Sequence, residues 1–416
     1  MTTHTTATPP SDKGSPAGQR AWLRRVLIGL VILLLTGIAG FGALVEFADY
    51  CESDFLPFEE SISAEPYVQN VSSNAATVMW RTEERTDGYV VFGTAGEADR
   101  TVASDSSTVH AVRLANLRPD TEYVYEVRSG ESVYDSATFN TAPGPDGEVT
   151  AIVVGDTGSG EPPQYEVAEV MMDINADLLL HTGDVVYPHG GTCRYEERYY
   201  APYREMIESV PVYPVLGNHD VRTDNGEPYL TAFELPAESS GTERYYSFDY
   251  GPLHVAALDS ELYYNDDTIP TERQKAWLRE DLAASDRPWK VVIIHRPPYS
   301  SSPFHGGDRQ ILEDLVAIFE EEEVDVVFAG HEHVYERLVP IDGVTYFVTG
   351  GGGADLRSAG RSDLTAVSSL RYHALEVKAS PERVLINAVG IDGEVFDTIE
   401  LTQPDPSVVT PVRPPG

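Results

Sequence analysis

Three patterns of apolar residues succeed one another along the chain. Val26 to Val45 is an uncharged, mostly apolar run, long enough to cross a bilayer as a helix. From residue 63 to 142 the pattern is short alternation: Ala76-Thr77-Val78-Met79-Trp80, Gly88-Tyr89-Val90-Val91-Phe92 and Tyr123-Val124-Tyr125-Glu126-Val127. Turn residues separate these strands at the spacing of a β-sandwich, with Trp80 suited to its core. Thr141-Ala142-Pro143-Gly144 then marks a boundary. From Glu148 onward, apolar strand blocks alternate with helical spacing. The blocks are Val149 to Val154, Leu178 to Leu180, Val212 to Leu216, Val291 to Ile294 and Val324 to Phe328. Helical spacing runs through Val167, Val170, Met171 and Ile174, from Thr271 to Ala284, and from Asp308, a candidate N-cap, to Glu322. Such alternation predicts an α/β architecture.

The charges flanking the long apolar run orient it. Lys13, Arg20, Arg24 and Arg25 precede it; Glu46, Asp49, Glu52, Asp54, Glu59 and Glu60 follow. The positive-inside rule places the N-terminus in the cytoplasm and the rest outside. The expected organisation is a disordered cytoplasmic tail (1–25), a single-pass transmembrane anchor (26–45), a linker (46–62), an all-β domain (63–142), an α/β domain (148–402) and a Pro-rich disordered tail (403–416). Secretion after cleavage of a signal peptide is the alternative. The two cysteines, Cys51 and Cys193, form no C-x-x-C pair, which excludes a thiolate zinc site. Outside the membrane a disulfide between them is permitted.

Composition narrows the partners. The formal net charge is -38, from Lys+Arg 29 against Asp+Glu 67, the opposite of a nucleic-acid binder's basic footprint. An anionic substrate would be repelled by this field, so a site for one must carry its own positive charge. Lysine is reduced to Lys13, Lys275, Lys290 and Lys378. An acidic, lysine-poor surface suits high salt, where counterions screen self-repulsion.

Candidate chemistry gathers at five strand ends: Gly155-Asp156-Thr157-Gly158, Gly183-Asp184-Val185-Val186-Tyr187, Gly217-Asn218-His219-Asp220, His295 after Val292-Ile293-Ile294, and Gly330-His331-Glu332-His333. Each puts an oxygen or nitrogen ligand just past a buried strand, where the loops of an open sheet converge. Carboxylate, amide, phenol and imidazole together suit two hard-to-intermediate metal ions.

This ordered series resembles the calcineurin-like metallophosphoesterases, and within them the purple acid phosphatases. The usual D-x-H opening has Gly158 in its third position here, and Tyr187 stands in the second motif instead. Leu117-Arg118-Pro119-Asp120-Thr121-Glu122-Tyr123 looks like the tyrosine corner of a fibronectin type III domain, which larger members of the family also carry. The resemblance implies a metallophosphoesterase α/β (α+β) sandwich of two mixed β-sheets flanked by helices, preceded by a fibronectin type III-like sandwich and the transmembrane helix. It implies two metal ions. The first, Fe(III), would take Asp156, Asp184, Tyr187 and His333. The second, Fe(II), Zn or Mn, would take Asp184, Asn218, His295 and His331, with Asp184 bridging. The implied activity is hydrolysis of phosphomonoesters, of the acid phosphatase type, by a metal-bound hydroxide. His219 and His305 would bind phosphate or protonate the leaving group. Asp220 would orient His219, and Arg296 would help bind phosphate.

Other residues read as structural. His181 and His254 fall in strand patterns and suit the core or the support of a site. His4, His110, His189 and His373 have no motif around them. Gly350 to Gly353 lacks the G-K-[ST] ending of a phosphate-cradling loop and reads as a tight turn near the metals. The implied substrate is a phosphorylated small molecule. A phosphodiesterase or nucleotide pyrophosphatase would use the same ligands, and a non-enzymatic surface-binding protein is a further reading. Oligomeric state has no signature in the sequence.

Overall fold

Every candidate motif follows a strand whose neighbour runs parallel to it. The computed structural model describes residues 64–134, 136–264 and 269–403. The expected tail, anchor and linker, and the Pro-rich segment from 404, lie outside the described residues. Among the described residues no helix is long and apolar enough to cross a membrane.

The first domain is a six-stranded β unit. Its centre is one strand, Ala75–Thr94, that unites the two strands expected at 76–80 and 88–92. Its first half pairs with Ala64–Gln69 and its second half with Glu122–Ser129, with register shifts between Arg81 and Gly88. A strand that changes partners through such an irregularity folds one ribbon into two layers. Trp80 is fully buried and stacks on His110, ring centroids 4.4 Å apart. The hydroxyl of Tyr123 accepts the main-chain N–H of Arg118 at 2.9 Å, which is the hydrogen bond a tyrosine corner requires.

The second domain packs two mixed sheets face to face. One runs Val395–Thr402, Arg383–Gly390, His373–Ala379, Val149–Val154, Leu178–His181, Val212–Pro214, the last three strands parallel. The other runs Tyr246–Tyr250, Leu253–Leu258, Trp289–Ile294, Val326–Ala329, Thr345–Thr349, Tyr335–Leu338, Thr365–Ser369, with Leu253–Leu258 to Thr345–Thr349 parallel. The strand blocks buried on both faces gave the continuous apolar runs seen in the sequence. The helix Pro162–Met172 buries Val167, Ala168 and Met171 against the six-stranded sheet. Helices Ile269–Ala284 and Arg309–Glu321 cover the seven-stranded one through Leu278, Leu282, Ile311, Leu315 and Phe319. Asp308 caps the second as expected, accepting from the N–H groups of Gln310 and Ile311 at 3.0 Å each.

The two domains share a core. Tyr67 donates to the Ala232 carbonyl at 2.8 Å, Tyr213 to that of Val71 at 2.6 Å and Tyr125 to that of Glu208 at 2.8 Å. One apolar cluster runs without a break from Tyr67 and Trp80 to Val149 and Leu375. Cys193 is disulfide-bonded, and Cys51, the other cysteine in the sequence, lies outside the described residues.

Candidate metal centre

Parallel strands all aim their carboxyl ends to one side of the double sheet. Three motif loops leave the six-stranded sheet after Val154, His181 and Pro214, and two leave the seven-stranded sheet after Ile294 and Ala329. The loops meet between the sheet ends, the usual ligand position in open α/β sheets. At three candidate ligands the backbone is left-handed: Asp156 (φ 58°), Asp184 (φ 54°) and His331 (φ 69°). Non-glycine residues adopt this region at a cost of order 1–3 kcal/mol, and such strain gathers at functional sites.

All seven candidate ligands lie at this seam, in two groups. In one, the Tyr187 hydroxyl donates to Asp156 Oδ1 at 3.1 Å and lies 3.0 Å from His333 Nε2, which is itself 3.4 Å from Asp156 Oδ1. In the other, His295 Nε2 lies 3.2 Å from Asn218 Oδ1 and 3.5 Å from Asp184 Oδ1. Ligand atoms of Asp156, Asp184 and His295 lie within 4.8 Å of one another, which joins the groups. His331 stands at the edge, its ring 5.1 Å from that of His295 and its Nε2 3.3 Å from Arg296 Nη1.

The donor set fits cations. Asp156 and Asp184 are buried (0% and 1% exposed), and among the described residues neither pairs with a lysine or arginine. Buried carboxylates need a counter-charge. The imidazoles are held for ligation: His295 Nδ1 bonds the Thr182 carbonyl at 2.8 Å and His333 Nδ1 that of Asp355 at 2.7 Å. Each Nε2 is thereby turned inward, the arrangement that fixes tautomer and ring plane in metal sites. Burial would raise the Asp184 carboxyl, but His295, His219 and the His219 N–H pull it below the usual range. Burial and the nearby Asp156 and Asp184 hold the Tyr187 phenol well above its ordinary pKa, so only a strongly charged cation would make it a phenolate.

The exchange of histidine for tyrosine has a steric cause. A Cβ on Gly158 would stand 1.9 Å from the Val185 carbonyl oxygen, so no imidazole fits there. The 185–187 loop occupies that space, and Tyr187 N–H donates to the Gly158 carbonyl at 2.9 Å. The glycine run is a close-packing device, as expected: a Cβ on Gly350 would meet the Glu332 carbonyl oxygen at 2.4 Å.

The catalytic candidates divide. His219 Nδ1 bonds the Pro188 carbonyl at 2.6 Å, leaving Nε2 4.0 Å from Asp184 Oδ2. His305 stacks on His331, centroids 4.4 Å apart, with Nδ1 2.9 Å from Glu332 Oε1. Asp220 does not orient the His219 ring. It is fully buried and accepts the main-chain N–H groups of Val185, Val186 and Gly217 at 2.9–3.2 Å. It clamps the Asp184 loop to the Asn218 loop. Arg296 does not present an open guanidinium: Nε and Nη2 are held by the Glu261 carboxylate at 2.7 and 3.0 Å, leaving Nη1 on His331.

Sequence reasoning passed over two buried glutamates. Glu332 accepts from the Ser302 hydroxyl and from His305 N–H at 2.9 Å; Glu336 accepts from Ser300 Oγ at 3.0 Å and Ser301 N–H at 2.8 Å. Together they pin the 300–305 loop. Glu332 sits inside the G-H-E-H motif, and an acid between two candidate ligands was the available signal. His181 is a supporting group: Nδ1 accepts the Gly183 N–H at 3.1 Å, Nε2 meets Thr157 Oγ1 at 2.9 Å, and burial lowers its pKa to about 4.

Both domains match known protein families. The calcineurin-like phosphoesterase family model matches residues 149–335, and that of the purple acid phosphatase N-terminal domain matches residues 65–142. Across both domains the chain is similar to the purple acid phosphatases. It is 28% identical over 341 residues to purple acid phosphatase 23 of Arabidopsis thaliana, covering 68% of this chain and 72% of that one. It is 27% identical to the probable inactive purple acid phosphatase 27 of the same plant, over 63% of this chain and 52% of that relative. The structure of purple acid phosphatase PPD1 from yellow lupin (Lupinus luteus) seeds superposes with a TM-score of 0.72 at 20% identity, over 82% and 74% of the two chains. The purple acid phosphatases are metal-dependent phosphomonoester hydrolases with a dinuclear centre.

Proposed function

We propose that this chain hydrolyses phosphomonoesters at a two-metal centre formed where the five loops meet. The observation that carries the reading is the joining of both ligand groups through Asp156, Asp184 and His295 within 4.8 Å, around two buried carboxylates that no lysine or arginine among the described residues neutralises. Fe(III) belongs with Tyr187, Asp156, Asp184 and His333, and Fe(II), Zn or Mn with Asp184, Asn218, His295 and His331; a phenolate favours the ferric ion. When bound, such a pair activates water and stabilises charge on the phosphoryl oxygens.

The chain's own groups do the rest. His219 is locked by Pro188, so its Nε2 is the atom that binds phosphate or hands a proton to the leaving oxygen. Glu332 holds His305 for the same task on the opposite rim. Asp220 keeps the two loops in register. We also read the catalytic domain as lying outside the cytoplasm on a single-pass anchor at 26–45; the flanking charges and the disulfide at Cys193 support this.

The test is to purify the full chain from its host, measure metal content and the visible spectrum, and assay a phosphomonoester beside a diester. Iron, a visible phenolate charge-transfer band lost in Tyr187→Phe, and monoester turnover are expected. A metal-loaded protein inert on both esters would sink the enzymatic reading. A colourless one fully active with zinc alone would remove only the ferric assignment.

A further inference from the structure

Beside His331 and His305 opens a cleft of about 720 Å³, lined by Tyr264, Arg296, Arg309 and the helix start at Asp308. The arginines around it are not equivalent. Arg296 is matched by Glu261, and Arg309 by Glu313 one turn along its own helix at 2.6 Å. Arg357, outside the cleft lining but next to His305, pairs with no carboxylate among the described residues. Its guanidinium lies over the exposed ring of Phe304, 4.2 Å from the centroid, and its Nη1 stands 3.3 Å from His305 Nδ1. That nitrogen is 2.9 Å from the Glu332 carboxylate. When its hydrogen goes to Glu332, the Arg357 contact is a meeting of two donors and satisfies neither. The Arg357 main-chain N–H donates to the carbonyl of His333 at 3.1 Å. A cation is thus fixed between a candidate ligand and a candidate proton donor, with its hydrogen-bonding edge open.

In a chain of net charge -38, an arginine left without a counter-charge at such a place is provision for an anion from outside. The geometry points to Arg357 as a substrate-binding residue that grips the phosphoryl oxygens and sets the preference for dianionic monoesters over monoanionic diesters. This rests on the phosphoesterase reading above. A phosphomonoester carries about -1.5 to -2 at pH 7 and one more unsubstituted oxygen than a diester. A planar guanidinium rewards both differences, through charge and through paired N–H···O bonds. Stacking on Phe304 sets the guanidinium plane, so little freedom is lost on binding.

The experiment uses the metal-loaded full chain and its Arg357→Gln and Arg357→Lys variants. kcat/KM is measured for p-nitrophenyl phosphate and bis(p-nitrophenyl) phosphate, and the Kd of inorganic phosphate by calorimetry at pH 7. Arg357→Gln should lower kcat/KM on the monoester by roughly 10- to 100-fold and weaken phosphate to a similar degree, with the diester changed by less than about 3-fold. Arg357→Lys, which keeps the charge but not the plane, should recover part of both. An unchanged phosphate Kd, or equal losses on both esters, overturns the proposal. If the wild-type chain turns over neither ester, the phosphoesterase reading fails by itself. The phosphate titration then still decides Arg357: weaker binding in Arg357→Gln supports it and equal binding removes it. Circular dichroism checks folding; if Arg357→Gln does not fold, Arg357→Lys carries the comparison, with an expected loss of about 3- to 10-fold.

Discussion

Asp220 separates two accounts of the site. The sequence suggests a catalytic partner for His219; the structure makes it a clamp. Its Oδ1 accepts from Val185 at 3.0 Å and Val186 at 3.1 Å, and its Oδ2 from Gly217 at 2.9 Å. Burial and the neighbouring Asp184 push its pKa up to about 7, while the three N–H donors pull it down. Asp220→Asn preserves shape and changes only what the second oxygen can do. If Oδ1 keeps Val185 and Val186, the new amide faces the Gly217 N–H, and one buried donor is left unpaired beside another. Such a group costs about 1–3 kcal/mol, a fall in Tm of roughly 2–10 °C for a domain of this size. Because the clamp ties the Asp184 loop to the Asn218 loop, metal affinity should fall by about 10–100-fold, as it does when groups supporting ligands are altered. With metal in excess, kcat should recover to within about 10-fold. Calorimetry, metal content after dialysis, and kcat against added metal are the assays. A catalytic proton carrier would behave in the reverse way. Wild-type Tm and metal retention, with kcat down by about 10² or more at any metal concentration, would refute the clamp.

Two further outcomes follow from charged groups elsewhere. Glu332→Gln removes the charge that holds His305 and Ser302, so KM for a monoester should rise about tenfold with kcat changed less than about threefold; an unchanged KM would remove the loop-pinning role. His254 bonds Asp249 at 2.8 Å and Asp281 at 2.9 Å. Burial alone would lower its pKa, but the two carboxylates raise it to about 9. Since the folded value lies above the unfolded one, about 6.5, its stabilisation is full below pH 6.5 and lost as pH rises through 9. The Tm gap between wild type and His254→Gln should therefore shrink over that window, from a stability difference on the order of 3 kcal/mol. A gap constant from pH 6 to 9.5 would show that His254 does not titrate as the geometry requires.

The sequence by itself determined the elements and the set of candidate ligands. Buried parallel strands announce themselves as apolar runs, and each motif starts where such a run stops, so Asp156, Asp184, Asn218, His295 and His331 could be read from local pattern alone. The tyrosine corner at Tyr123 was equally local, its hydroxyl reaching back only to Arg118. Strands such as Arg383–Gly390, whose alternation is plain in hindsight, carry no chemistry and were passed over. What only the tertiary structure decided was pairing between distant residues. That Asp220 serves the amides of Val185 and Val186 rather than the His219 ring, that Glu261 takes the charge of Arg296, and that Glu332 and Glu336 fasten the serine loop depend on groups 27–35 residues apart in sequence. The same holds for Gly158: the pattern shows that a histidine is missing, but only the packed loops show the Val185 carbonyl standing where its Cβ would be. Strand periodicity is a property of neighbours along the chain, whereas the partner of a buried charge is set by whichever loops the two sheets bring together.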